Sequence, residues 1–191
     1  MTGRTHDLAA FTALNIILAT QNVPQTTLST TLVALGACFI GGLTPDIDTA
    51  TSSFWQKIPA GTVFGRILHP FFRGHRLISH SIIGLAIFGY GMSWLLNLAS
   101  HSLLVNMNIV WWGFMIGLVS HLIMDSFTEE GVPWLFPIPI HFGFPPFSAL
   151  RIRTGGLLEK ILIFPSLLLL NIYLFYSFYP IYLNFFRQFI R

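Results

Sequence analysis

Ser120-His121-Leu122-Ile123-Met124-Asp125-Ser126 closes an apolar run, Val110 to Met124, that contains no Asp, Glu, Lys or Arg. An imidazole and a carboxylate then stand four positions apart. Residues at i and i+4 share a helix face one turn apart, so His121 and Asp125 can address one point. Neutral imidazole with a carboxylate oxygen is a ligand pair for zinc or a similar divalent ion. A His–Asp hydrogen bond closing a buried helix end is the alternative reading of this pair taken by itself. The other ionisable residues bear on that choice.

The chain has 191 residues, of which 53% are hydrophobic and 9% charged. Soluble domains carry about 25% charged residues, so the composition is that of a membrane protein, and the length suits one domain. The single cysteine, Cys38, lies in an apolar run, which excludes a disulfide framework or a cysteine-based zinc site. Net charge is +3, from ten Lys and Arg spread thinly between apolar runs. Such bases read as topology-setting charges beside anionic headgroups, with the lipid bilayer as partner and no nucleic acid expected. The acids are Asp7, Asp46, Asp48, Asp125, Glu129, Glu130 and Glu159, and most lie close to a histidine or inside Pro45-Asp46-Ile47-Asp48.

Working outward, Ile109 to Met124 is a membrane helix, and Ser81 to Ala99 is another of about 19 residues, close to the roughly 20 that a bilayer requires. Leu28 to Leu43 is a shorter apolar helix whose Ala34, Gly36, Ala37, Gly41 and Gly42 permit close packing. Leu8 to Ala19 has about 12 apolar-dominated residues, the length of a signal-peptide core. Its thin basic head and the lack of a clean cleavage site favour a retained, short or tilted helix. Leu157 to Tyr179 is a long helix with Pro165 as a candidate kink. Pro133, Pro137, Pro139, Pro145 and Pro146 exclude a regular helix between Thr128 and Gly156. The expected fold is an all-α, multi-pass membrane bundle of about five helices. Residues 1–180 form one domain, followed by a short basic and aromatic tail, 181–191.

Arg4, the loop with Lys57, Arg66, Arg73 and Arg76, and the loop with Arg151 and Arg153 fall on one side of this bundle. Gln21–Thr27 and His101–Asn108 on the other side carry no Lys or Arg, so the basic side is expected to face the cytoplasm. Arg187 and Arg191 oppose the pattern. The same topology brings His6, Asp46, Asp48, His75, His80, His121 and Asp125 to that one side. Convergence of this kind is what a metal site requires. Read separately, Asp46 and Asp48 can also belong to a helix-ending Asx turn, and Ser79 to an N-cap flanked by interfacial histidines. Glu129 and Glu130 follow Asp125 closely enough to reach the site. His69 and His141 read as interfacial, His101 lies on the opposite side, and Glu159 reads as a partner of a helix N-terminal dipole.

Ligands of this type around one or two divalent ions, zinc first, support metal-assisted hydrolysis, with Arg76 positioned to hold a phosphate. No Gly-x-Ser-x-Gly elbow, P-loop or dinucleotide fingerprint occurs. Gly42-Leu43-Thr44-Pro45-Asp46-Ile47-Asp48, His75-Arg76-Leu77-Ile78-Ser79-His80-Ser81 and Ser120-His121-Leu122-Ile123-Met124-Asp125, with Thr5-His6 upstream and Thr128 and Gly131 downstream, resemble the bacterial inner-membrane metal-dependent hydrolases of the YdjM-like group, described as LexA-binding. The resemblance spans roughly residues 5 to 160 and implies an inner-membrane location. The His-x-x-x-Asp helix with an upstream Asp is also similar to zinc-dependent phospholipases C, which implies phosphodiester cleavage. No His-rich segment follows Asp125, so one or two ions are expected rather than three.

The expected protein is a metal-dependent hydrolase acting on a phosphoester, with a lipid or lipid-linked substrate favoured by the headgroup-level site. His6, Asp46, His75, His80, His121 and Asp125 are the candidate metal ligands, and Asp48 and Arg76 the candidate catalytic residues. A transporter, or a membrane protein pinned by a structural metal, is the rival. A carrier would place ionisable groups near the midplane, whereas here they gather at helix ends.

Overall fold

The computed structural model describes residues 1–21, 23–48, 52, 55, 61, 63, 76–138, 140–187 and 189, with the side chains of Arg76 and Leu77 excepted. His75 and much of the first polar loop lie outside the described residues. The described chain forms α1 (Gly3–Thr20), α2 (Leu28–Leu43) running into a 3-10 turn (Thr44–Asp48), and a short α3 (Arg76–Ser79). There follow α4 (Ile82–Ala99), α5 (Met107–Asp125), a π-helical turn (Glu159–Ile163) leading into α6 (Phe164–Ser177), and α7 (Tyr179–Arg187). Four of these segments, Leu28–Asp48, Ile82–Ala99, Met107–Asp125 and Glu159–Ser177, are long and apolar enough to cross a bilayer. The molecule is an all-helical membrane bundle.

Caps fix where the helices begin. Thr27 Oγ1 accepts from Thr30 N–H at 3.2 Å, Ser81 Oγ accepts from Gly84 N–H at 3.2 Å, and Asn106 Oδ1 accepts from the backbone of Asn108 and Ile109. Ser81 rather than Ser79 therefore caps α4. Pro165 sits two residues after the π-helical turn, where its missing N–H and ring bulk favour a local departure from α geometry. Tyr179–Arg187 is helical, and Tyr182 is buried against Ala19 and Leu174.

At the centre of the bundle, α5 places Val110, Phe114, Met115, Leu118 and Leu122 against Ala34 and Ala37 of α2, with Val132 from the following loop beneath them. In a bilayer, moving leucine from lipid to protein gains little, so close backbone packing and interhelical hydrogen bonds matter more. Both are present. A Cβ at Gly41, Gly113 or Gly117 would collide with the backbone of the facing helix, at Phe114, Ala34 and Cys38 respectively. Gly36, expected to serve the same purpose, faces open space. Between α1 and α6, Asn15 Nδ2 donates to Asn171 Oδ1 at 2.6 Å and Asn171 Nδ2 donates to Thr12 Oγ1 at 2.7 Å. Trp111 Nε1 donates to Gly89 O at 2.8 Å and ties α5 to α4.

Among its described residues the loop 128–156 contains no regular helix beyond one 3-10 turn, as its prolines dictate. Arg151 stiffens it by donating to Pro145 O at 2.7 Å and Pro146 O at 2.8 Å. Ile82 N–H donates to Trp134 O, which docks this loop on the start of α4.

Candidate metal centre

Gly41, Gly113 and Gly117 let α2 and α5 approach until the end of α2 lies beside His121. There His121 Nδ1 donates to Gly42 O at 2.7 Å. With Nδ1 protonated by that contact, the neutral ring carries its lone pair on Nε2. His121 Nε2 lies 3.3 Å from Asp125 Oδ2, as the one-turn spacing on α5 predicts, and 3.9 Å from Asp46 Oδ1. His80, at the α3–α4 corner, points its Nε2 to the same place, 3.7 Å from Asp125 Oδ2 and 3.8 Å from Asp46 Oδ1. His6, on the first turn of α1, stacks on His121 with ring centroids 3.8 Å apart, and its Nε2 is 3.2 Å from Asp125 Oδ1. Four chain segments thus meet at one point.

The ring of His80 is oriented from behind. Ser79 Oγ donates to Asp48 Oδ2 at 2.6 Å and lies 3.0 Å from His80 Nδ1, so it accepts the proton of that nitrogen. Asp48 therefore acts on the site through Ser79, whose hydroxyl is not the α4 cap. Burial, with the neighbouring His121 next, pushes the His80 pKa down to about 4 against the pull of Asp125, Asp46 and Asp48, so its imidazole stays neutral at physiological pH.

Two ligand groups result: His6, His121 and Asp125, and Asp46, His80 and His121, each with its ligand atoms within 4.8 Å of one another. Nε2 of His80, Nε2 of His121 and both ring nitrogens of His6 are buried without a hydrogen-bond partner. Each unsatisfied buried polar atom costs about 1–3 kcal/mol, and together they rival the ~5–15 kcal/mol that stabilises a whole domain. Imidazole lone pairs converging between two carboxylates fit a divalent cation. On the His6 side, the α-amino nitrogen of Met1 donates to Asp125 Oδ1 at 2.6 Å, so that oxygen already faces a cation. The Asp46, His80 and His121 group, with Asp125 Oδ2 beside it, keeps its ligand atoms free of such a partner and offers the imidazole nitrogens and carboxylate oxygens that zinc accepts.

Glu129 and Glu130 are exposed and belong to neither group, and His141 and His101 are exposed as well. Arg76 opens α3, four residues before His80, and His75 lies outside the described residues. Glu159 has a role that the sequence reading missed. Its buried carboxylate accepts from Thr2 N–H at 2.8 Å, Thr2 Oγ1 at 2.7 Å, Thr5 Oγ1 at 2.5 Å and Gly155 N–H at 2.7 Å. It thereby moors the N-terminal segment that carries His6. The Thr2-x-x-Thr5 spacing just ahead of His6 was the available signal. Nothing local to Glu159 pointed across the bundle.

An all-helical membrane bundle with a buried histidine–carboxylate cluster at its helix ends is the class these features define. The chain belongs to the family described as "YdjM inner membrane protein", which it matches over residues 1–186. It is also 31% identical, over 92% of its own length and 95% of the relative's, to "Uncharacterized protein YvsG" of Bacillus subtilis (strain 168). No solved structure matches it. Neither description names an activity, and a likeness to phospholipases C is in neither.

Proposed function

We propose that the protein is a metal-dependent hydrolase of phosphoesters, multi-pass in the inner membrane, with its site at the cytoplasmic headgroup level. The observation that carries this reading is the convergence of three buried histidines, whose Nε2 atoms lack hydrogen-bond partners, around Asp46 and Asp125. A bound divalent ion, zinc first among candidates, would supply a water acidic enough to react near neutral pH and a positive charge for the developing oxyanion. Asp46, His80, His121 and Asp125 would hold it, and His6 is placed to take part in a second group with Asp125. Asp48 is a positioning residue, acting on His80 through Ser79. Arg76 is assigned to the charge on the phosphate. In the reaction, water oxygen bonds to phosphorus, the bond from phosphorus to the leaving alcohol breaks, and the alcohol oxygen takes up a proton.

The test is metal analysis of the purified full-length protein together with a phosphodiester and phospholipid hydrolysis screen, comparing wild type with His121→Ala and Asp125→Ala. Stoichiometric metal and turnover in the wild type, both lost in the variants, are the expected result. Wild-type protein prepared without chelators and carrying no divalent metal would refute the reading. Metal without turnover would leave a metal whose part is to pin helices together.

A further inference from the structure

A groove of about 460 Å³ runs between α1, α5 and α6, bordered by Ala9, Ala13, Trp112, Ile116, Met124 and Leu167 among others. Its two hydroxyl groups are already committed, Thr12 Oγ1 donating to Leu8 O at 2.7 Å and Ser120 Oγ to Gly117 O at 2.8 Å. The groove therefore offers an occupant contact with hydrocarbon and little else.

Its direction ties it to the metal centre. Ala9 and Ala13 follow His6 at i+3 and i+7, the same face of α1, and Met124 directly precedes Asp125. One end thus lies at the level of the histidine–carboxylate cluster along the bundle, and from there the groove descends into the membrane. Between Met124 and Trp112 the rise of α5 is about 18 Å, a little over half of the ~30 Å hydrocarbon thickness, which is the depth of one leaflet. Spread over that length, the volume corresponds to a cross-section of about 25 Å². That is room for one hydrocarbon chain. A helix about 10 Å across from another protein would not enter it, and a membrane-crossing partner would need the full thickness.

We infer that this groove takes one hydrocarbon chain of a membrane lipid whose phosphoester headgroup lies at the metal centre, so that the substrate is a lipid phosphoester drawn from the site-side leaflet. The headgroup half of this inference rests on the hydrolase reading. The chain half rests on the groove alone.

The full-length protein is reconstituted in nanodiscs of phosphatidylethanolamine and phosphatidylglycerol doped with a phospholipid bearing a diazirine midway along one acyl chain. After photolysis, labelled residues are mapped by mass spectrometry, with and without chelator. Labelling should concentrate on the 9–17 segment of α1 and the 112–124 segment of α5. Ala13→Phe, or independently Ile116→Trp, should cut it at least fivefold, while labelling of the exposed α4 residues Trp94 and Leu98 persists. The same variants should lower the ratio of lipid to water-soluble phosphodiester turnover at least tenfold. Labelling spread evenly over the helices, labelling indifferent to both variants, or a crosslink between Ile116→Cys residues of two copies would overturn the inference. Groove labelling that is blocked by the variants in a protein without turnover would overturn only the hydrolase reading.

Discussion

His121 Nδ1 and Gly42 O, residues on different helices, are joined by a 2.7 Å hydrogen bond that exists because α2 and α5 touch backbone to backbone. A Cβ at Gly117 would strike the Cys38 carbonyl and the Gly42 amide nitrogen, so the helices would have to part. Gly117→Ala is expected to destabilise the protein by about 1–3 kcal/mol and to loosen metal binding as Gly42 O withdraws from the ring. Thermal unfolding in detergent and competition against a chelator measure the two effects. Metal affinity equal to wild type would show that the carbonyl does not orient His121.

The Asp48–Ser79–His80 chain makes a separate claim, since neither Asp48 nor Ser79 belongs to a ligand group. Partners that orient a ligating histidine are worth roughly 10–100-fold in metal affinity. Ser79→Ala should fall in that range, and Asp48→Asn should weaken binding in the same direction with the fold intact. Chelator competition reads this directly. Both variants binding as tightly as wild type would remove Asp48 from any role behind His80.

Much of this arrangement was legible in the chain, for identifiable reasons. Apolar runs of bilayer length fixed α4 and α5, and the His121/Asp125 spacing fixed a shared helix face. The alternation of basic and uncharged connections put His6, Asp46 and His80 at one end of the bundle, where they meet. Long-range polar bonds were harder to read. Glu159 resembles any helix-start acid until Thr2 and Thr5 are seen on it, about 155 residues away. Ser79 read as the cap by sequence, and packing instead makes Ser81 the cap while Ser79 joins Asp48 to His80. The tail was read only as short, basic and aromatic, and its helix, Tyr179–Arg187, accommodates Pro180 because proline is well tolerated in a first helical turn.

The neutral, buried state of His80 has a consequence for acid stability. An unfolded imidazole titrates near 6.5, whereas burial, followed by His121, holds folded His80 near 4. Between those values the unfolded chain carries a proton that the folded chain refuses, so the metal-free protein loses stability as pH falls from about 6.5 to about 4. Below that window this residue contributes no further change. His80→Asn should flatten that part of the melting-temperature profile, measured in chelator from pH 7.5 to 4. A variant profile parallel to wild type would contradict the assignment.

His6 and His121 are stacked, yet their losses should differ. Removing His6 leaves Asp46, His80 and His121 together, whereas removing His121 breaks both groups. Elemental analysis should find His6→Ala retaining one ion per chain, and His121→Ala retaining none. The reverse pattern would place the principal ion at the His6 side.

Glu159 provides the last test, because it acts on the site from a distance. Its carboxylate gathers four donors from Thr2, Thr5 and Gly155. Glu159→Ala leaves the buried Thr5 hydroxyl without that acceptor, and a lost hydrogen bond of this kind costs about 1–3 kcal/mol. The melting temperature should fall by several degrees, and the segment carrying Met1 and His6 should loosen. Diethyl pyrocarbonate, which modifies accessible imidazoles, should then label His6 at least severalfold faster, while His80 and His121, held by other elements, keep their wild-type rates. Acceleration at all three histidines would mean that Glu159 supports the bundle as a whole. No acceleration at His6 would mean that its place is set by stacking on His121 alone.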